Sequence, residues 1–263
     1  MNIQTVLTPS FTMEYVRFGS GEKQFVILPG LSVQSVLISA QAVAAAYKSF
    51  AQDYTVYLFD RRNDIPAGYT VHDMAQDTAA AMRTLGLEGV CLYGASQGGM
   101  IAMDIALKSP ELVQKLALAS TTARMTRERY QAIGNWADLA KAGSAQNLYL
   151  AFGKTIYPPG VFSQIRDTLI QMAGTVTAEE MERFVILAEA SKGFDVVKAL
   201  GKISCPVLVT GSRDDKVFGE NASLEIAQAI PGAELSVYDG YGHAVYDTAP
   251  DFAGRMLRFF QKS

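Results

Sequence analysis

The sequence has 263 residues, of which 49% are hydrophobic and 19% charged, and its formal net charge is −3. This length allows one sizeable hydrophobic core, and the composition is typical of an ordinary soluble globular protein. The small negative charge gives no electrostatic basis for binding nucleic acid or an anionic membrane surface. The amino terminus lacks the basic-then-apolar pattern of a signal peptide, and no apolar run is long enough to span a bilayer, so we expect a cytoplasmic location.

Short apolar runs predict eight β-strands along the chain. The first two lie on either side of a Thr-Pro-Ser turn, and the other six recur at intervals. The predicted strands are Ile3–Leu7, Met13–Phe18, Phe25–Leu28, Thr55–Phe59, Val90–Tyr93, Lys115–Ala119, Val207–Thr210 and Leu235–Tyr238. Uninterrupted apolar runs of this kind suit strands that are covered on both faces, as in a parallel sheet.

Helical patterns lie between these strands. The clearest runs from Val71 to Leu85 with apolar residues at three- and four-residue spacing. Thr70 and Asp73 fit its start as a capping pair, and Gly86 fits its end. Further helices are predicted at Gly98–Lys108, Ala222–Ala229 and Phe252–Phe260. The alternation predicts an α/β fold with a mainly parallel sheet.

One long interval, residues 121–200, contains no convincing strand. Several helical segments rich in aromatic residues fill it, and Pro158-Pro159-Gly160 and Gly174 interrupt them. Because the alternating pattern resumes afterwards, we expect a helical insertion rather than an independent domain.

The stretch Gly94-Ala-Ser96-Gln-Gly98-Gly99 stands where an apolar strand ends and a helix begins. This is the setting of the GxSxG nucleophile elbow, in which a sharp turn lifts the serine hydroxyl clear of the sheet. Side chains at Gly94 or Gly98 would crowd such a turn. The alternative is a glycine-rich turn with an incidental serine.

A serine nucleophile needs a base within hydrogen-bond reach, and the chain has only two histidines. His72 lies at the start of a predicted amphipathic helix, where a solvated role is expected. His243 follows two glycines in the loop after the last strand, so we predict that it is the base. The alternative for His243 is a surface loop histidine.

An acid must orient this base, and Asp214 and Asp215 follow the next-to-last strand. Open parallel sheets bind ligands at the carboxyl ends of their strands, where Ser96, this pair and His243 all fall. We predict that Asp214 is the acid and that Asp215 is solvated or caps the loop. The segment after the preceding strand has no carboxylate before Glu128.

Together these motifs resemble those of the α/β-hydrolase fold superfamily, in particular single-domain serine esterases with a helical cap. The matching residues, which cover essentially the whole chain, are the elbow Gly94–Gly99, Gly211-Ser-Arg-Asp214, Gly242-His243 and Leu28-Pro-Gly30-Leu31. The resemblance implies an eight-stranded, mostly parallel sheet whose second strand is antiparallel. It also implies a core of residues 1–120 and 201–263, with residues 121–200 as a cap inserted after the sixth strand.

The resemblance further implies catalytic roles for Ser96, Asp214 and His243. The main-chain amides of Leu31 and Gln97 would form the oxyanion hole. Pro29 stands where the family more often has a histidine that steadies this loop. The expected activity is hydrolysis of an ester of a small, mostly apolar substrate through an acyl-enzyme, with no metal or organic cofactor. Candidate substrate-binding residues are Met100, Trp136, Val217 and Ala244.

Other chemistries of the same triad stay open. They include cleavage of carbon–carbon bonds, enol-lactone hydrolysis, perhydrolysis and slow-turnover binding of a small apolar ligand. A dehalogenase or epoxide hydrolase would have an aspartate in place of Ser96. Cys91 and Cys205 lack the spacing of a metal site, and neither a disulfide nor a metal is expected. The sequence does not indicate an oligomeric state.

Overall fold

The computed structural model describes residues 1–262 and contains one eight-stranded sheet. The strands are β1 Gln4–Leu7, β2 Thr12–Phe18, β3 Lys23–Leu28, β4 Tyr54–Arg62, β5 Val90–Ala95, β6 Val113–Ala119, β7 Val207–Ser212 and β8 Glu234–Tyr238. Their order across the sheet is β1-β2-β4-β3-β5-β6-β7-β8. Strand β2 is antiparallel to both of its neighbours, and the other strand pairs are parallel. The predicted fold class and strand directions are confirmed.

The helices connect the strands and cover both faces of the sheet. They are α1 Ala40–Ala46, α2 Val71–Thr84, α3 Gln97–Lys108, α4 Arg127–Lys141, α5 Ala145–Ile156, α6 Pro159–Ala173, α7 Ala178–Glu189, α8 Asn221–Ala229, α9 Val245–Thr248 and α10 Phe252–Gln261, with 3₁₀ turns at Val36–Ser39, Lys48–Phe50, Pro110–Leu112 and Val197–Lys202. The predicted capping pair is confirmed, because Thr70 and Asp73 exchange side-chain-to-backbone hydrogen bonds at the start of α2. Within residues 1–262, no helix combines the length and apolarity needed to cross a membrane.

Two apolar layers lie on the two sides of the sheet. In β5, Val90 and Leu92 point into the layer that contains α2 and α3, whereas Cys91 and Tyr93 point into the layer that contains α1 and α10. Successive residues of a strand face opposite sides, so burial on both sides requires an uninterrupted apolar run. This explains why the central strands lack the alternation of a half-exposed strand.

Helices α4 to α7 form the insertion between β6 and β7. Its two ends meet, because Arg124 and Asp195 form an isolated antiparallel bridge and an ion pair of 2.9 Å. Helix α4 packs on α7, and α5 packs on α6. The predicted helical character of this interval therefore agrees with the structure, while the limits of a separate cap domain at 121–200 stay a prediction.

Candidate active site

Ser96 forms a strained turn between β5 and α3. Its backbone angles are φ 51° and ψ −120°, a region that residues other than glycine rarely occupy. Two hydrogen bonds hold it there: the Ser96 amide donates to the carbonyl of Ala119 at 2.9 Å, and Thr121 Oγ1 donates to the carbonyl of Ser96 at 2.7 Å. The end of β6 thus fixes the serine in an otherwise unfavourable conformation.

The glycines around Ser96 are required by close backbone approach. A Cβ atom on Gly94 would lie 2.3 Å from the carbonyl oxygen of Gly98, and one on Gly98 would lie 2.1 Å from that of Leu28. A Cβ atom on Gly99 would lie 2.6 Å from the side chain of Thr121. Real contacts are never this short, so the turn accepts only glycine at these positions. The crowding expected from the sequence is confirmed.

The loop between β8 and α9 brings His243 to this serine. His243 is 2% exposed, and its Nε2 lies 3.0 Å from Ser96 Oγ. Gly242 precedes it with φ 62°, and the Ala244 amide donates to the carbonyl of Ile156 at 2.9 Å. The end of α5 therefore helps to hold the histidine loop.

Asp215 occupies the position predicted for Asp214. Its two carboxylate oxygens lie 3.0 and 2.9 Å from His243 Nδ1. The amides of Val217 and Phe218 also donate to Asp215 Oδ1, at 2.7 and 3.1 Å. The expectation that Asp214 faces the histidine is wrong, because the adjacent carboxylate points to that side of the turn.

Asp214 instead organises the loop that precedes His243. Its carboxylate accepts hydrogen bonds from Ser212 Oγ at 2.5 Å and from the amides of Gly240 and Gly242 at 3.0 Å each. The sequence-based roles of the two aspartates are thus exchanged. Both carboxylates cap backbone amides, Asp214 those of Gly240 and Gly242 and Asp215 those of Val217 and Phe218, but only Asp215 also reaches His243.

The electrostatics suit an ionised acid beside the histidine. Burial by itself would raise the pKa of Asp215, but the charge of His243 and hydrogen bonds from His243, Val217 and Phe218 lower this pKa below its ordinary value of 3.8. An ionised carboxylate accepts the Nδ1 proton, which leaves Nε2 free to accept the proton of Ser96. Here the hydrogen-bond network assigns the histidine tautomer.

The loop after β3 passes directly beside the serine. A Cβ atom on Gly30 would lie only 3.1 Å from Ser96 Cβ, and Leu31 and Gln97 both line the space above Ser96. Within residues 1–262, the main-chain N–H of Leu31 and that of Gln97 donate no hydrogen bond to another protein group. Both amides therefore have a hydrogen free for a ligand, as an oxyanion hole requires.

A buried arginine steadies this loop. Arg61, at the end of β4, is 4% exposed, and its Nη2 donates to the carbonyl of Pro29 at 2.7 Å. Burial lowers the pKa of Arg61 to about 10, so the side chain still carries a positive charge at neutral pH. Arg61 thus supports the loop at Pro29, the position where other members of the family more often have a histidine.

Apolar side chains of the insertion close the cavity above Ser96. The cavity offers about 20 Å³ to the centre of a water molecule, which is room for about one water. It is lined by Gly30, Leu31, Ser96, Gln97, Ile133, Trp136, Phe152, Ile156, Ser191, His243 and Tyr246. The rings of Trp136 and Phe152 pack together with centroids 4.5 Å apart.

Of the four candidate substrate-binding residues, only Trp136 lines this cavity. Met100, Val217 and Ala244 are buried in the core instead, and their predicted contact with this cavity is wrong. Ile133, Ile156 and Tyr246 were missed because a buried position in a helix carries no sequence signal that separates packing from lining. Ser191 was missed because a single serine in the turn after α7 has no motif around it.

The remaining candidate residues lie in other surroundings. His72 Nδ1 contacts Asp104 Oδ2 at 2.7 Å, so this histidine does not pair with Ser96. Cys91 and Cys205 are free thiols in the structure. Among residues 1–262, no three His, Cys, Asp or Glu side chains are grouped so as to hold a metal ion.

Comparison with known proteins identifies the family and the fold. A sequence profile of the α/β hydrolase fold matches residues 23–250. A curated relative from Agrobacterium fabrum, named "Putative carbamate hydrolase RutD", is 26% identical over 221 residues, which is 81% of this chain and 85% of that protein.

Two solved structures share the fold over nearly their whole length. One is MGS-M2, an α/β hydrolase enzyme from a Medee basin deep-sea metagenome library, with a TM-score of 0.88, 21% identity and coverage of 99% of this chain and 98% of that chain. Another is the enol-lactonase from Burkholderia xenovorans LB400, with a TM-score of 0.85, 19% identity and coverage of 98% and 100%. At such identities the structural likeness concerns the fold alone. From the profile match, the chain belongs to the α/β hydrolase fold family.

Proposed function

We propose that this protein is a serine hydrolase that cleaves a small carboxylic ester through an acyl-enzyme. The observation that carries the proposal is the continuous chain of contacts from Ser96 Oγ to His243 Nε2 and from His243 Nδ1 to Asp215. This arrangement supplies a nucleophile, a base and an orienting acid in one buried line. The free amides of Leu31 and Gln97 lie beside it.

In the first step, His243 takes the proton of Ser96 while Oγ attacks the carbonyl carbon. The two free amides stabilise the negative charge that develops on the carbonyl oxygen, and Asp215 stabilises the protonated ring. His243 then gives its proton to the leaving alcohol. In the second step a water molecule, activated by the same histidine, attacks the acyl-enzyme and releases the acid.

The lining of the cavity argues for a small, mostly apolar acyl group. Its side walls come from Leu31, Ile133, Trp136, Phe152 and Ile156. Because the cavity has room for about one water, a substrate enters only when helices α4 and α5 move away from Ser96. We propose that the insertion acts as a cap that opens between turnovers.

A second candidate is carbamate hydrolysis. It is favoured by the name of the curated relatives, which match 74–87% of this chain at 26–27% identity. The same triad serves this reaction, because a carbamate also presents a carbonyl carbon to Ser96. Ester and carbamate hydrolysis then differ in the group that is bonded to this carbon.

The test combines labelling with turnover. A fluorophosphonate probe should label Ser96, and Ser96→Ala should remove both the label and at least about 10³-fold of turnover on a panel of nitrophenyl esters, a lactone, a thioester and a carbamate. The two histidines give a matched pair: His243→Gln should abolish turnover and His72→Gln should leave it near the wild-type rate. Labelling that survives Ser96→Ala would refute the nucleophile. A single burst with no further product on any substrate would instead favour a ligand receptor.

A further inference from the structure

The side chain of Gln97 is held in one orientation beside the nucleophile. Gln97 is 2% exposed, and its Nε2 donates to the carbonyl of Leu187 at 2.7 Å and to Ser191 Oγ at 3.0 Å. A carbonyl oxygen only accepts hydrogen bonds, so the amide nitrogen must face Leu187. The other atom of the amide, Oε1, is therefore an acceptor that points away from that carbonyl.

This acceptor has no donor in the described part of the chain. Gln97 Oε1 is buried and has no hydrogen-bond partner. Several other buried side-chain atoms of the described residues also lack a partner, but none of them belongs to a residue that lines the cavity over Ser96. A buried acceptor without a donor is unfavourable and is rare in native proteins. The cavity has room for a donor only on the scale of one water molecule or one small substrate group.

The position of Gln97 relates this acceptor to the acyl group. The main-chain N–H of Gln97 is proposed to contact the oxygen of the scissile carbonyl. The side chain that carries Oε1 is attached to the Cα next to that N–H. Most of the other side chains around the cavity are apolar: Leu31, Ile133, Trp136, Phe152 and Ile156. Because this cavity has room for about one water, a substrate group that reaches Oε1 from the scissile carbonyl has to be small.

We propose that Gln97 Oε1 accepts a hydrogen bond from an N–H bonded to the scissile carbonyl, and that Gln97 thereby selects carbamoyl over acyl substrates. This inference rests on the serine hydrolase chemistry proposed above, and of the two candidate substrates it favours the second, a carbamate, over the first, a carboxylic ester. A site built to bond a substrate N–H rejects the analogue that lacks it, because its own polar group then stays unpaired.

The covalent step is balanced without any further reactant. The Ser96 Oγ–C bond forms while the C–O bond to the leaving alcohol breaks. The serine proton passes to His243 and then to the leaving oxygen. The carbamoyl nitrogen keeps its hydrogen throughout, donating it to Gln97 Oε1, and water later releases the carbamic acid from Ser96.

The experiment compares two substrates that differ by one group. 4-Nitrophenyl N-methylcarbamate and 4-nitrophenyl propionate have NH and CH₂, respectively, at the same position. Nitrophenolate release gives kcat/KM for the first step of each, after subtraction of spontaneous hydrolysis. The ratio of the two values, carbamate over propionate, is compared between wild type and Gln97→Met, so intrinsic reactivity and any general loss of activity cancel.

We expect this ratio to fall by about tenfold or more in Gln97→Met, because methionine has a similar length but no amide oxygen. Gln24→Met is the matched control: Gln24 Oε1 is also a buried acceptor without a partner, but Gln24 does not line the cavity over Ser96, so the ratio should stay within about twofold of wild type. A ratio unchanged in Gln97→Met, or lowered equally in Gln24→Met, would overturn the proposal.

Two further measurements keep the result decisive. If Gln97→Met does not fold, wild type should still carbamoylate at least about tenfold faster with the N-methylcarbamate than with the N,N-dimethylcarbamate, each rate taken after subtraction of its spontaneous reaction. Discrimination below about twofold would overturn the inference. Failure of the serine hydrolase proposal is separate, because then Ser96→Ala would leave the turnover of both substrates unchanged.

Discussion

Replacing Asp215 by asparagine should cost far more activity than replacing its neighbour Asp214. Both variants remove one negative charge from the same turn and keep the size of the side chain. Asp215 contacts His243 Nδ1 through both carboxylate oxygens, at 3.0 and 2.9 Å, whereas no contact joins Asp214 to the ring. The pair therefore separates the effect of orientation from that of charge.

The magnitude follows from the hydrogen bonds around Asp215. The amides of Val217 and Phe218 both donate to Oδ1, so an asparagine would place its oxygen there and its NH₂ group at the Oδ2 position. That NH₂ group would face His243 Nδ1 at about the 2.9 Å now spanned by Oδ2. Two donors repel each other, so the ring would move its proton from Nδ1 to Nε2, and Nε2 could no longer accept the proton of Ser96.

A histidine in the wrong tautomer lowers kcat by about 10⁴-fold in a serine triad, which corresponds to about 5.4 kcal/mol of transition-state stabilisation. Asp214→Asn keeps the Oδ1 acceptor for Ser212 and Gly240 and loses the acceptor at Oδ2 for Gly242. The loss of one such hydrogen bond predicts at most about a tenfold fall in activity.

The assay is steady-state hydrolysis of a short nitrophenyl ester, with thermal unfolding of both variants as a check on folding. Equal, small losses in the two variants would show that neither carboxylate orients His243. A larger loss in Asp214→Asn would show that the loop places the other residue against the ring.

Four more outcomes follow from the structure. Burial would raise the pKa of Asp214, but hydrogen bonds from Ser212 and from nearby backbone amides lower this pKa below 3.8, so the ionised carboxylate stabilises the fold above that pH and less as the pH falls. The difference in melting temperature between wild type and Asp214→Asn should therefore shrink below about pH 4, and a constant difference would contradict this. Gly98→Ala should prevent folding or remove activity, because the new Cβ would lie 2.1 Å from a carbonyl oxygen. The Cβ of Gly160→Ala would meet nothing within 4 Å, so this variant should leave the free energy of unfolding unchanged or raise it by up to about 1 kcal/mol in denaturant titration. Trp136→Ala should cost about 3–5 kcal/mol of stability and shift the best nitrophenyl ester to a longer acyl chain, and an unchanged chain-length profile would remove Trp136 from the acyl pocket. Burial raises the pKa of the Cys91 thiol to about 11, so iodoacetamide at pH 7 should alkylate it slowly and leave activity intact; rapid inactivation that is absent in Cys91→Ala would refute this.

Local patterns in the sequence were enough for the architecture and for two members of the site. Strands buried on both faces need uninterrupted apolar runs, and the capping pair at Thr70 and Asp73 marks a helix start by itself. Ser96 was recognisable because the turn around it excludes side chains at Gly94 and Gly98. His243 was recognisable because the chain has only two histidines.

The tertiary structure alone decided between the two aspartates. Asp214 and Asp215 are chemically identical and adjacent, and they differ only in which side of the turn each carboxylate faces. The contacts that make the difference come from distant segments: the Gly240–His243 loop offers amides to Asp214 and an imidazole to Asp215. No local pattern contains the direction from which that loop arrives.

The same reason limits what sequence says about the substrate. Met100, Val217 and Ala244 are close in sequence to the proposed catalytic residues but are buried in the core, while the cavity wall comes from α4 and α5. The unpaired oxygen of Gln97 exists only because Leu187, 90 positions away, takes the other end of the amide. Short sequence motifs were enough to predict the type of reaction. Substrate specificity depends on which distant side chains pack over Ser96, and those motifs do not contain that information.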